Sequence, residues 1–317
     1  GPPRWRSSGS TSAPPAAAMR EWGAHRGGAA AAPGKRGASA TALRLLRDLI
    51  VQRTGVFFAD AKLDMLEERL DEVVAARGVP SLLDYYYLLR YDPGAEAAWG
   101  ELMDRLAVPE TYFWRQAEQI EALAGVVLPR LVEARGGRPV RIWSAACCTG
   151  EEPLSIAMAL DEGGWLDRAP VEIVGSDASA ALVARARAGV YGERSLRNLS
   201  PERRARYFTP KGAGWRIDPA LHARVRWGVA NLLDEEEAGP LARADVVFCR
   251  NVFIYFSDDA IRKVARMLAA RMPADGWLFL GASESLMRLG SDFHMDEVGP
   301  AFAYTRGPGA GPAPGRS

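Results

Sequence analysis

Cysteine is scarce: Cys147, Cys148 and Cys249 are the only three in 317 residues. Three thiols, two of them adjacent, make no disulfide framework and fit a reducing, cytoplasmic setting. Histidine is as rare, with His25, His222 and His294 scattered along the chain. Neither set has zinc-ligand spacing, so no metal is expected and the cysteines read as small buried thiols. Excess charge is missing too: 40 basic residues against 39 acidic leave a net charge of +1. Such a chain has no general attraction for polyanions, so nucleic acid is not an expected partner. No apolar run approaches the ~20 residues needed to cross a bilayer. The N-terminus has no apolar signal region, and Met19 offers an alternative start.

What remains is ordinary globular composition, 48% hydrophobic and 25% charged. Residues 1–40 are rich in Gly, Pro, Ala and Ser, and the tail 307–317 is similar. Neither can bury enough apolar surface to offset its ordering entropy, and both are expected to be disordered. Residues 41–108 carry helical periodicity. Thr41 suits an N-cap, with Leu43, Leu46, Leu49 and Ile50 on one face. Residues 60–77 form a second helix ended by Gly78-Val79-Pro80, Ser81 opens a third, and 95–107 make a fourth. A linking segment with a helix follows over 109–138.

From residue 139 to 306 short apolar runs alternate with helical stretches: 140–145, helix 151–162, 171–177, helix 178–188, 244–251, helix 257–272 and 276–283. That alternation predicts an α/β domain with a mostly parallel, doubly wound sheet. Two runs joined by Gly299-Pro300 read as a closing antiparallel hairpin, which makes the sheet mixed. Residues 189–230 interrupt the alternation with a helix capped by Ser200 and the strand-like pieces WRID and ARVRWGV. They read as a small inserted β-subdomain.

Doubly wound sheets bind ligands beyond the carboxyl ends of their strands. The first run ends in SAACCTGEEP, Ser144–Pro153. Gly150 is its single glycine, and Glu151 and Glu152 would repel phosphate, so neither a dinucleotide pyrophosphate nor a P-loop nucleotide fits. The second run ends in Asp177, which suits a ribose diol or a helix N-cap. Asn231 and Leu232 offer an amide edge and an apolar face to an adenine. The fourth run ends in Arg250-Asn251, a cation and an amide at the ligand edge or a structural salt bridge. A cationic, phosphate-free ligand with adenine and ribose is S-adenosylmethionine, whose ammonium Glu152 could meet. Its carboxylate needs an arginine. VPETYFWR, Val108–Arg115, ends in one, although the same aromatic segment also reads as a packing plug between domains.

VPETYFWR, RIWSAACCTGEEPLSIAMAL, GSD, NLL, FCRNVFIYF and GASESL, in this order, resemble the CheR-type chemotaxis receptor methyltransferases, and IVQRTGVFFADAKLDMLEERL is similar to that family's N-terminal helical domain. The likeness spans residues 41–306. It implies a Rossmann-like class I methyltransferase domain beside an N-terminal all-helical domain, and an S-adenosylmethionine-dependent protein-glutamate O-methyltransferase. By motif it implies cofactor contacts from Thr111, Arg115, Glu152, Asp177, Asn231, Leu232, Arg250 and Asn251, with Arg115 and Tyr255 at the transfer site. The implied partner is the cytoplasmic helical region of a chemoreceptor or a related acidic protein, met by a monomer. The ionised acceptor carboxylate needs no general base, so catalysis is expected to be mostly positioning with water excluded.

Four features depart from that family, one being Cys147-Cys148 in place of small residues. Pro109 stands where many members have a polar residue, and Trp114 replaces a Phe. Residues 60–77, which match the basic docking helix, hold three basic and six acidic residues. Eight basic residues instead crowd Arg185–Lys211 and could hold an acidic partner. The loop Thr209–Gly214 is short beside the glycine-rich loop of members that bind a receptor's tether peptide, so tether-independent action is expected.

Overall fold

The computed structural model describes residues 33–306, in two units. The expected disorder of 1–32 and 307–317 lies outside them. The first unit is residues 33–108 together with Ile254–Ile261. It contains α1 (Pro33–Thr54), α2 (Leu63–Arg77), α3 (Leu82–Tyr91) and α4 (Ala95–Leu106). Leu46, Ile50, Leu66, Leu70, Tyr85 and Leu102 form its fully buried centre. Ser81 caps α3, accepting the Asp84 amide, and Gly78 closes α2 in the left-handed conformation. Thr41 is no cap: α1 starts at Pro33 and runs through it. Proline suits a first helical turn, and the alanines that follow favour helix, so the predicted disorder of 33–40 is corrected.

The second unit begins with α5 (Ala117–Ala122) and α6 (Leu128–Arg135), separated by a π-helical turn. Its main elements are β1 (Val140–Ala145), α7 (Glu151–Glu162), α8 (Trp165–Arg168), β2 (Val171–Asp177), α9 (Ala180–Ala188) and β3 (Val190–Tyr191). Next come α10 (Pro201–Tyr207), β4 (Phe208–Lys211), β5 (Gly214–Ile217), α11 (Pro219–His222), β6 (Val225–Val229) and α12 (Glu235–Leu241). The chain closes with β7 (Val246–Cys249), α13 (Asp258–Arg271), β8 (Trp277–Phe279), β9 (Phe293–Val298) and β10 (Ala301–Arg306); the first turn of α13 groups with the helical unit.

Seven strands form one sheet in the order β6-β2-β1-β7-β8-β10-β9. The first five are parallel, and β10 and β9 add the expected antiparallel hairpin. Strand order reverses between β1 and β7, which pair with Ala145 opposite Cys249. That switch point is where such a sheet opens its ligand crevice, and SAACCTGEEP and Arg250-Asn251 both leave the sheet there.

The insert is smaller than 189–230. β3, β5 and β4 form its separate antiparallel sheet, but β6 pairs in parallel with β2, Asp177 opposite Val229. The piece ARVRWGV is therefore an edge of the main sheet. Its neighbour β2 lies about 50 residues earlier, a pairing no local pattern reveals.

Candidate active site

Backbone strain is concentrated beyond the ends of β1 and β7. Among the described residues the non-glycine positions with positive φ are Trp114, Gln116, Ala146, Cys148 and Asn251. Each left-handed non-glycine residue costs about 1–2 kcal/mol and persists only where the surroundings enforce it. Two flank Arg115, two lie in the β1–α7 turn and one follows Arg250.

The turn is built on short bonds. Gly150, φ 95°, lets it approach Trp227: a Cβ there would meet the indole at 2.8 Å. Cys148 donates its amide to Asp177 Oδ2 at 2.9 Å, and Ser179 donates its amide to Oδ1 at 2.9 Å. Ser179 rather than Asp177 caps α9, accepting the Leu182 amide. The cysteine side chains are inert: burial pushes Cys148 up to about 12 and holds Cys147 and Cys249 well above the ordinary thiol range.

Glu152 meets positive charge, as its place predicts, but the cation in contact is Arg250. Arg250 Nε donates to Glu152 Oε2 at 2.7 Å, and Ser144 Oγ donates to Oε1 at 2.6 Å. The rest of the guanidinium is also engaged inside the chain. Nη2 donates to the Arg115 carbonyl at 2.7 Å, and Nη1 to Gln119 Oε1 at 3.0 Å and the Gln116 carbonyl at 3.4 Å. Arg250 therefore shapes the site as a buried tie, the salt-bridge alternative of the sequence reading.

Arg115 is half-buried, and its Nη1 donates to the Glu110 carbonyl at 2.6 Å. Thr111 is half-buried as well. Asn231 lies half-buried just past β6, its Oδ1 accepting the Leu233 amide and its own amide donating to Glu237; Leu232 is buried beside it. Asn251 follows Arg250, its amide donating to Glu284 at 2.7 Å. The structure thus gathers these residues on one unit. Tyr255 is apart in sequence grouping: it lies in Ile254–Ile261, and its carbonyl accepts the Phe57 amide of the helical unit.

Two carboxylates matter more than their sequence positions suggested. Glu284, buried, also accepts the amides of Phe253 and Gly281 at 2.7 Å each. A Cβ at Gly281 would sit 2.6 Å from Asn251 Nδ2, so the glycine lets that loop close. The signal was a strand end carrying Gly and Glu three residues apart, within GASESL. Glu151 is buried and accepts from Thr149 Oγ1 and Ser195 Oγ, and burial raises its pKa.

The concentrated basic residues of Arg185–Lys211 are mostly tied down within the chain. Arg203 pairs with Glu162, Arg204 with Glu193, Arg206 with Asp161, and Arg194 and Arg197 with Glu110. Five of the eight thus have an acidic neighbour within the chain, which a count of charges along the sequence does not show.

Comparison with known proteins agrees with this architecture. Residues 109–300 match the family model "CheR methyltransferase, SAM binding domain", and 41–107 match "CheR methyltransferase, all-alpha domain". Chemotaxis protein methyltransferase 1 of Pseudomonas aeruginosa is 36% identical over 82% of this chain and 96% of its own. Chemotaxis protein methyltransferase 2 of Vibrio cholerae is 34% identical over 81% and 90%. A "probable biofilm formation methyltransferase" of Pseudomonas putida is 33% identical over 80% of this chain and 59% of its own length.

The residues fit S-adenosylmethionine. The β1–α7 turn has small side chains and acidic residues where a pyrophosphate would need a cradle. Asp177 and Asn231 end neighbouring strands β2 and β6. Gln116 Oε1 is buried with no hydrogen-bond partner in the protein, an acceptor suited to an ammonium. Among the described residues no three His, Cys, Asp or Glu side chains are placed to hold a metal, and no helix is long and apolar enough to cross a membrane. The chain belongs to the CheR methyltransferase family and is an S-adenosylmethionine-dependent methyltransferase.

Proposed function

We propose that the chain methylates glutamate side chains of chemoreceptors, giving methyl esters. The observation that carries this reading is the placement of Arg115: a half-buried cation held between two left-handed residues, its carbonyl tied to the buried Arg250–Glu152 pair. A guanidinium fixed in this way suits a carboxylate acceptor. When bound, S-adenosylmethionine supplies an electrophilic methyl on a sulfonium, and an ionised carboxylate takes it with no proton to remove. The protein's task is then orientation and exclusion of water. Arg115 orients the acceptor. Asp177 holds the ribose, Asn231 and Leu232 border the adenine, and Thr111, Glu152 and Gln116 serve the methionine end. Arg250 and Asn251 shape that end through the backbone they hold. The relatives named for chemotaxis support a receptor substrate.

Docking is independent of a receptor tether. The β4–β5 connection is only Gly212-Ala213, with Gly212 at φ 60°, a minimal hairpin turn with no extended loop. The test of the central residue is Arg115→Ala. It should reduce methyl transfer to background while the melting temperature stays within a degree or two; near wild-type turnover would remove Arg115 from the mechanism.

A further inference from the structure

The inserted β-subdomain grips the three aromatic residues that precede Arg115. The Phe113 amide donates to the Ser195 carbonyl at 2.9 Å. The Phe113 ring, fully buried, meets Tyr191 of β3 edge-on at 4.8 Å and Phe208 of β4 at 5.0 Å. The Arg197 guanidinium lies 3.7 Å from the centre of the Tyr112 ring and pairs with Glu110. Arg203 of α10 lies 3.7 Å from the centre of the Trp114 ring and is held flat by Glu162 of α7, with Nε and Nη2 each 2.9 Å from a carboxylate oxygen. Cations stacked on aromatic faces at these distances fix both partners. The insert therefore clamps Tyr112, Phe113 and Trp114 from one side, and Arg250 holds the Arg115 and Gln116 carbonyls from the other. Trp114 and Gln116 stay at positive φ under that grip.

We propose that the insert is the mould that sets the Arg115 guanidinium, with Arg203 and Arg197 as positioning residues for methyl transfer. The proposal rests on Arg115 being the catalytic cation. It gives the insert a task that needs no receptor tether and gives Arg197 and Arg203 a reason to stack on Tyr112 and Trp114.

The test uses Arg203→Gln, Arg203→Lys and Arg197→Gln in the full chain. Amide hydrogen exchange over residues 111–116 should speed up at least fivefold in both Gln variants, with the remainder unchanged. At saturating cofactor, kcat should fall about tenfold while the KM for S-adenosylmethionine moves less than about twofold, the mark of misplacement rather than lost binding. Arg203→Lys should recover part of the loss. In an Arg115→Lys background, Arg203→Gln should cost less than it does alone, because both act on one group. Unchanged exchange in both Gln variants, wild-type kcat, or fully multiplicative losses would overturn the proposal. Arg197 is exposed enough that its variant decides the matter if Arg203→Gln does not fold. Should Arg115→Lys itself turn over at the wild-type rate, the catalytic reading falls, while the exchange result still judges the mould.

Discussion

Arg250 and Glu152 form an ion pair of 2.7 Å with side chains 1% and 12% exposed, 98 residues apart in sequence. Breaking such a pair leaves a buried charge uncompensated, which costs about 3–5 kcal/mol. Arg250→Ala should lose stability on that scale and also free the Arg115 and Gln116 carbonyls. Arg250→Met with Glu152→Gln should recover most of the stability but not the activity. Chemical denaturation of the three proteins, beside their turnover, checks both halves.

Glu284 tests whether the loop after β7 needs its buried anchor. Three backbone amides converge on its two oxygens. Hydrogen bonds to a charged group contribute about 1.5–3 kcal/mol each. Glu284→Ala should destabilise the chain by several kcal/mol, and Gly281→Ala should weaken cofactor binding by crowding Asn251. Thermal melts and isothermal titration with S-adenosylhomocysteine read the two effects.

Glu151 gives a pH signature. Burial, opposed by the Thr149 and Ser195 hydroxyls, raises its pKa in the folded chain. A raised folded pKa means stability that is complete below the unfolded value and is lost as pH climbs through the folded one. Ionised Glu151 is thus a burden at higher pH. Glu151→Gln keeps the size and one acceptor, so it should melt above wild type at about pH 8, with the gap closing towards the unfolded glutamate value of about 4.3. A gap that widens on acidification would reverse the assigned sign.

Tether-independent docking predicts no heat of binding with a receptor-tail pentapeptide in calorimetry, while intact receptor is still methylated. Micromolar binding would contradict it.

Much of this was legible in the sequence, for physical reasons that differ by region. β1, α7 and β2 match their expected bounds because a continuous apolar run ends abruptly in polar residues at each strand end. Gly299-Pro300 marks the β9–β10 hairpin as clearly. The sequence named the polar side chains at the strand ends, but not their dealings with one another. Glu152 looked like a ligand contact and Arg250 like a ligand contact or a structural salt bridge, and only the adjacency of β1 and β7 shows that they meet. Likewise β6 read as part of the insert, since its pairing with β2 is long-range, and the basic stretch Arg185–Lys211 read as a hold for an acidic partner, since its own acidic neighbours on α7 and before α5 are distant in sequence. Glu284 was overlooked because the Gly281–Glu284 spacing says nothing of the Asn251 and Phe253 amides that its carboxylate also accepts.

The central claim is tested most directly by incubating the protein with methyl-labelled S-adenosylmethionine and membranes holding the organism's own chemoreceptors. The account predicts labelled receptor whose methyl is released as methanol by mild base, and no label when the acceptor glutamates are changed to alanine. Receptors that stay unlabelled, or carry label that base does not release, would contradict it.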